Sequence, residues 1–184
     1  MPLKRIYVNN QIYFITTNTF NRVKIFNDEQ YCELFLKILL ACQKRYKFKI
    51  YGHVVMPDHV HLLIQPDEKM KISDCMHRIK GNFAYQYIKT QNHEGSATEK
   101  TKFLHPVDDP SWVIRARLRE EPIWQKSFYD HIIRNEKDFD QKLDYIHDNP
   151  IRAGLVKCAD QYKYSSFIKY YKAPKETSEY LHKY

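Results

Sequence analysis

Residues 48–65 constrain this chain more than any other stretch. FKIYGHVVM is rich in β-branched and aromatic residues, Pro57-Asp58 interrupts it, and HVHLLIQ follows until Pro66. Two strands about a Pro-Asp break predict a β-hairpin. Side chains alternate along a strand, so Val60, Leu62 and Ile64 point into a core while His59 and His61 share the other face. Two imidazoles side by side on a rigid strand are well placed to share a metal ion, with His53 nearby on the partner strand. The same spacing also occurs in surface histidines that bind nothing, and the pair alone does not separate the two cases.

The rest of the chain supplies elements to pack on that hairpin. Residues 12–17 form a first strand. Asp28 caps a helix over about 28–46, where Tyr31, Leu34, Phe35, Ile38, Leu39 and Cys42 recur at helical spacing. A second helix covers about 73–89, with Ile72, Met76, Ile79, Phe83 and Tyr87 as its apolar stripe. Residues 92–121 are polar and carry Pro106 and Pro110, so they read as a loop or insertion. Within them Arg115, Arg117 and Arg119 alternate with Ile114, Ala116 and Leu118, as in a basic ribbon, a solvated strand or an unstructured arm. Residues 127–133 form a last core strand. Asn135 caps a helix that starts near Glu136 and ends near Pro150. Residues 157–184 make a basic aromatic tail with no predicted element. This order predicts an α+β fold, the ferredoxin-like split β-α-β: an antiparallel sheet with helices packed on one face.

Composition narrows the class. The 184 residues suit one domain (1–184), and 43% hydrophobic residues are enough for a core, which excludes wholesale disorder. Only 4 glycines exclude a glycine-rich dinucleotide loop. No apolar run approaches the ~18 residues of a membrane span, and no signal segment opens the chain. The expected setting is cytoplasmic, without membrane contact. Cys32, Cys42, Cys75 and Cys158 form no C-x-x-C pair, which disfavours a zinc site, and three of them fall on apolar-periodic stretches, so buried thiols are expected. Lys+Arg 30 against Asp+Glu 22 leave a net charge of +8, and 15 tyrosines accompany it. Basic charge with many aromatic faces suits a polyanion such as nucleic acid, and equally a basic surface with no specific partner.

One further pair stands out in the last predicted helix. Phe139, Leu143 and Ile146 make its apolar stripe, and Tyr145 and Asn149 lie about 90–130° away from its middle at ~100° per residue. They are four residues apart, hence on one face. A phenol and a carboxamide there could supply a nucleophile and an oxygen ligand; a tyrosine at the edge of a core would look the same.

In combination these residues resemble a known family. MPDHVHLLI (56–64) resembles the metal-binding strand of the single-tyrosine HUH transposases, in which HUH denotes His, a bulky hydrophobic residue and His. WQKSFYDH (124–131), IIRNE (132–136), Asp144-Tyr145-Ile146 and Asn149-Pro150 look like the branch called REP-associated tyrosine transposases, and the resemblance spans residues 12–156. It implies an HUH motif on a central strand, with His59, His61 and Asn149 as ligands of Mg2+ or Mn2+ and Tyr145 as the nucleophile. Imidazoles alone would suit zinc, so phosphate and water would complete the shell. The implied substrate is single-stranded DNA with hairpin-containing repeats. The implied reaction is transesterification through a 5′-phosphotyrosine, which needs no nucleotide triphosphate. Lys4, Arg5, Arg78, Lys80, Arg115, Arg117 and Arg119 are candidate phosphate contacts, and Lys142 flanks Tyr145. The implied assembly is a monomer or homodimer. Two other readings use the same residues: a non-catalytic nucleic-acid-binding module on the same scaffold, and a metallohydrolase that activates water with His59 and His61.

Overall fold

Four antiparallel strands order as β2-β3-β1-β4 in the computed structural model, which describes residues 10–92 and 122–171. The strands are β1 (Tyr13–Asn18), β2 (Lys49–Met56), β3 (His59–Gln65) and β4 (Tyr129–Ile132). The helices are α1 (Glu29–Tyr46), α2 (Ile72–Asn92), α3 (Glu136–Arg152) and a short α4 (Phe167–Tyr171). The order is that of a ferredoxin-like sheet, and the hairpin strand bearing the two histidines is central, paired with both β1 and β2. The Asp28 carboxylate caps α1 by accepting from the Gln30 N–H at 3.0 Å, and Asn135 caps α3 by accepting from Asp138 N–H at 2.9 Å. Cys32, Cys42 and Cys75 are buried free thiols, in keeping with the three expected on apolar-periodic stretches, and Cys158 is exposed.

The alternation of β1 and β3 divides two cores. Tyr13, Ile15, Val60, Leu62 and Ile64 pack with Phe35, Ile38 and Leu39 of α1 and Ile79 and Phe83 of α2. Phe14 and Leu63, one residue out of phase, pack with Val54, Met56 and with Leu143 and Ile146 of α3. Thus α1 and α2 cover one face, as expected, while α3 lies across the opposite face. Gly52 makes that seat possible: a Cβ there would stand 2.8 Å from Leu143 Cδ1. Burial of an Ile or Leu side chain is worth about 1.5–3 kcal/mol, so Ile146 and Leu143 anchor the helix firmly.

The last turn of α3 continues two residues beyond Pro150, to Arg152. The proline ring is buried and its carbonyl accepts from the Leu155 N–H at 2.9 Å. Gly154 then ends the turn at φ +70°, a conformation that suits glycine.

The described part of the tail has structure of its own. Val55 N–H donates to Tyr164 O at 3.0 Å and Ser166 N–H to His53 O at 2.9 Å, which covers the outer edge of β2. His147 of α3 and Ser166 meet at 2.9 Å, tying the tail to the helix. Asn92, the first residue of the predicted 92–121 loop, closes α2; the remainder of that stretch, with the alternating arginines, lies outside the described residues. No helix among the described residues is long and apolar enough to cross a membrane.

Candidate active site

The β1–β3 register sets Asn18 opposite His59 and Thr16 opposite His61. Both histidines face α3, in phase with Leu63, and their ring centres are 4.8 Å apart. Val54 is the cross-strand partner of His61, whereas His53 stands opposite Leu62 of the other core, out of phase with the pair. Each ring is held through Nδ1. His59 Nδ1 meets the Asp58 carboxylate at 2.6 Å, and Arg22 pairs with that carboxylate at 3.4 Å. His61 Nδ1 meets the Thr16 hydroxyl at 2.8 Å. With Nδ1 engaged, Nε2 is the nitrogen each ring has left for a ligand, the arrangement that outer hydrogen bonds give metal-binding histidines. His61 Nε2 is buried and has no hydrogen-bond partner among the described residues. Burial, and then the neighbouring His59 and Arg22, push the His61 pKa down to about 3. The ring is therefore neutral, the form that ligates a cation.

Helix α3 brings Tyr145 to this pair within one chain. Its ring centre lies 5.2 Å from that of His61, the planes at 74°. Phe14 wedges beside both, 5.8 Å from Tyr145 and stacked on His61 at 5.4 Å. The tyrosine is thus supported on its sheet side and open on the other, with 37% of its surface exposed. Asn149 is one helical turn further on and buried. Among the described residues no three His, Cys, Asp or Glu side chains cluster as a metal site. Within the described residues, a third protein ligand beside the two imidazoles would therefore be an amide or hydroxyl, and Asn149 shares the Tyr145 face of the helix. Lys142 lies on the same flank, its Nζ 5.4 Å from the Phe14 ring centre.

Other expected residues lie elsewhere. Arg78 and Lys80 are on α2, behind the sheet. The Arg78 guanidinium stacks 4.4 Å over Tyr46, and its Nε and Nη1 are buried. Lys80 Nζ donates to the carbonyls of Gln125 at 2.9 Å and Ser127 at 3.1 Å. Both side chains are engaged in packing the fold rather than lining the face of the histidines. Lys4, Arg5, Arg115, Arg117 and Arg119 lie outside the described residues. The Trp-Gln stretch is structural in this view: Trp124 is buried against Phe26 and Phe83, and Gln125 pairs its backbone and side chain with Asn18.

Sequence reasoning missed four neighbours of the site. Thr16 and Phe14 are placed by strand pairing that no local pattern announces. Asp58 precedes the first histidine directly and could have been read from that adjacency. Arg152, seven residues after Tyr145, shares its helix face, and its guanidinium carbon lies 5.4 Å from the tyrosine ring centre.

Comparison with known proteins points to one family. The sequence profile of the family "Transposase IS200 like" matches residues 7–105. A Haemophilus influenzae protein assigned to the REP-associated tyrosine transposases is 30% identical over 172 residues, covering 92% of this chain and 87% of its own length. The REP-associated tyrosine transposase of Escherichia coli K12 is 26% identical over 165 residues, 89% of this chain and 81% of that protein. A solved structure of a REP-associated tyrosine transposase bound to a REP hairpin superimposes with a TM-score of 0.68 at 23% identity, covering 100% of this chain and 88% of that one, which shows a shared fold. The chain belongs to the IS200-like transposase family, in its branch of REP-associated tyrosine transposases.

Proposed function

We propose that this transposase cuts and rejoins single-stranded DNA through a covalent link to Tyr145. The observation that carries the reading is the approach of the Tyr145 ring to His61, within one chain and on the face of the sheet that α3 crosses. In the cleavage step the Tyr145 oxygen attacks phosphorus, a bond from the phenolic oxygen to phosphorus forms, and the bond from phosphorus to O3′ breaks. The phenolic proton goes to solvent, and the departing 3′ oxygen takes a proton from solvent to leave a free 3′-OH. Reversal by another 3′-OH joins strands, because the phosphotyrosine conserves the diester energy.

His59, His61 and Asn149 would hold Mg2+ or Mn2+. Such an ion, when bound, neutralises a non-bridging oxygen and orients the phosphate for in-line attack. The buried, unpartnered His61 Nε2 supports this ligand set. Oxygen atoms from substrate and water would complete a shell suited to these ions. Phe14 and His61 hold the Tyr145 ring, so the chain's own part is to position the phenol and exclude water from its sheet side.

The substrate we assign is a hairpin-bearing single strand, since a structural relative is bound to a REP hairpin and this chain carries a net charge of +8. The test is incubation with hairpin-flanked single-stranded oligonucleotides and Mg2+ or Mn2+. A protein–DNA band that survives denaturation, with a free 3′-OH on the released strand, is expected. Tight binding unaffected by chelators and without scission would point instead to a binding module. A free 5′-phosphate product without any adduct would point to a hydrolase.

A further inference from the structure

We infer that Arg152 is a catalytic residue that grips the scissile phosphodiester beside Tyr145. The inference rests on the phosphotyrosine reading of the site. Tyr145, Asn149 and Arg152 stand at i, i+4 and i+7, one stripe along α3. His61 lies 5.2 Å from the tyrosine ring centre, and the Arg152 guanidinium carbon lies over the same ring at 5.4 Å. The nucleophile is thus flanked by a candidate metal ligand and by a fixed positive charge. Arg152 is exposed, and no ion pair holds it among the described residues. Of the candidate phosphate contacts in the described region, Arg78 and Lys80 are occupied behind the sheet, whereas Lys142 on the Tyr145 flank has its Nζ 5.4 Å from the Phe14 ring centre.

The chemistry explains what an arginine would do there. Attack by a phenolic oxygen adds negative charge to the non-bridging oxygens of an already anionic diester. An ion held by two imidazoles and one amide would neutralise one of those oxygens, and a guanidinium N–H donating to the other would stabilise the charge that remains. An arginine on the same helical face as the nucleophile travels with it, so any displacement of α3 moves both together.

The experiment measures single-turnover adduct formation by the full chain on a hairpin-flanked oligonucleotide, for wild type, Arg152→Gln and Arg152→Lys. Each is repeated with the separated diastereomers of a methylphosphonate at the scissile position, in which one non-bridging oxygen is a methyl group. On the natural diester Arg152→Gln loses about 100-fold in rate, the size expected for one transition-state donor, and Arg152→Lys keeps part of that rate. On the diastereomer whose missing oxygen is the one Arg152 holds, wild type and Arg152→Gln react equally. The inflection of the pH–rate profile stays in place. Arg152→Gln reacting within twofold of wild type on the natural diester would overturn the inference and leave the phosphotyrosine reading standing. So would an equal loss on both diastereomers with a displaced pH inflection, which would mean that Arg152 acts through the acidity of Tyr145. Absence of any adduct in wild type would remove the phosphotyrosine reading itself, and this inference with it.

Discussion

The rings of His61 on β3 and Tyr145 on α3 meet at 5.2 Å, edge toward face, with Phe14 packed against both. Replacement of Tyr145 by Phe keeps that packing and removes only the hydroxyl. Covalent adducts should fall by at least about a thousandfold, while hairpin binding stays within about threefold. Denaturing gels and filter binding read the two quantities separately. Adducts that persist would transfer the role to another tyrosine, first Tyr129, which faces the same side of the sheet, 6.4 Å from Phe14.

Asp58 and Thr16 hold His59 and His61 through their Nδ1 atoms. Asp58→Asn and Thr16→Val should each weaken Mn2+ binding about 10–100-fold, and His61→Ala should weaken it further. Titration followed by electron paramagnetic resonance measures this without DNA. A chelator should abolish adduct formation, and added Mg2+ or Mn2+ should restore it. Unchanged Mn2+ affinity in both outer-contact variants would show that the rings need no such support.

Gly52 lets α3 lie close on β2, because any Cβ would press on Leu143. Gly52→Val should destabilise the protein by about 1–3 kcal/mol through overpacking and depress adduct formation more than DNA binding. Gly52→Ala should cost less, since Leu143 Cδ1 is the movable end of a side chain. A Leu143→Ala change added to Gly52→Val should recover part of the loss, as neighbouring substitutions couple. Thermal unfolding together with adduct rate checks both, and strict additivity of the pair would contradict the packing account.

His53 and His147 lie beneath the tail, with Ser166 between the β2 carbonyl of His53 and the His147 ring. Burial first, then Lys169 and His147, lowers the His53 pKa to about 4; burial, partly offset by Asp148, lowers that of His147 to about 4. A lowered folded-state value means that the unfolded chain binds more protons. Stability should therefore be full above pH ~6.5 and decline as pH falls toward 4. His147→Gln should flatten that decline, and denaturant unfolding at pH 7.5 and pH 4.5 measures it. A variant with the wild-type slope would exclude His147 as a source.

Much of the fold was legible because its signals are local. The Pro57-Asp58 break and the alternation of residues 59–65 fixed the hairpin and the shared face of His59 and His61. Asp28 and Asn135 announced two helix starts, since a capping side chain bonds to backbone only two or three residues on. The family motifs were legible for the same reason. The basic residues were not: Arg78 and Lys80 look like any surface cations in sequence, yet one stacks on Tyr46 and the other pins the Gln125–Ser127 carbonyls. Net charge describes a surface as a whole and says nothing about which cations are already occupied.

Sequence by itself determined the four strands and the three long helices, the face of each helix that is apolar, and the side-by-side placement of two imidazoles, but not the short α4 of the tail. Only the tertiary structure decided that α3 crosses the sheet opposite α1 and α2, that Phe14 joins Tyr145 to His61, and that Arg152 stands beside the nucleophile. Periodicity reports which side of an element avoids water. Where two such sides meet depends on shapes contributed by distant residues, here the missing Cβ of Gly52 beneath Leu143.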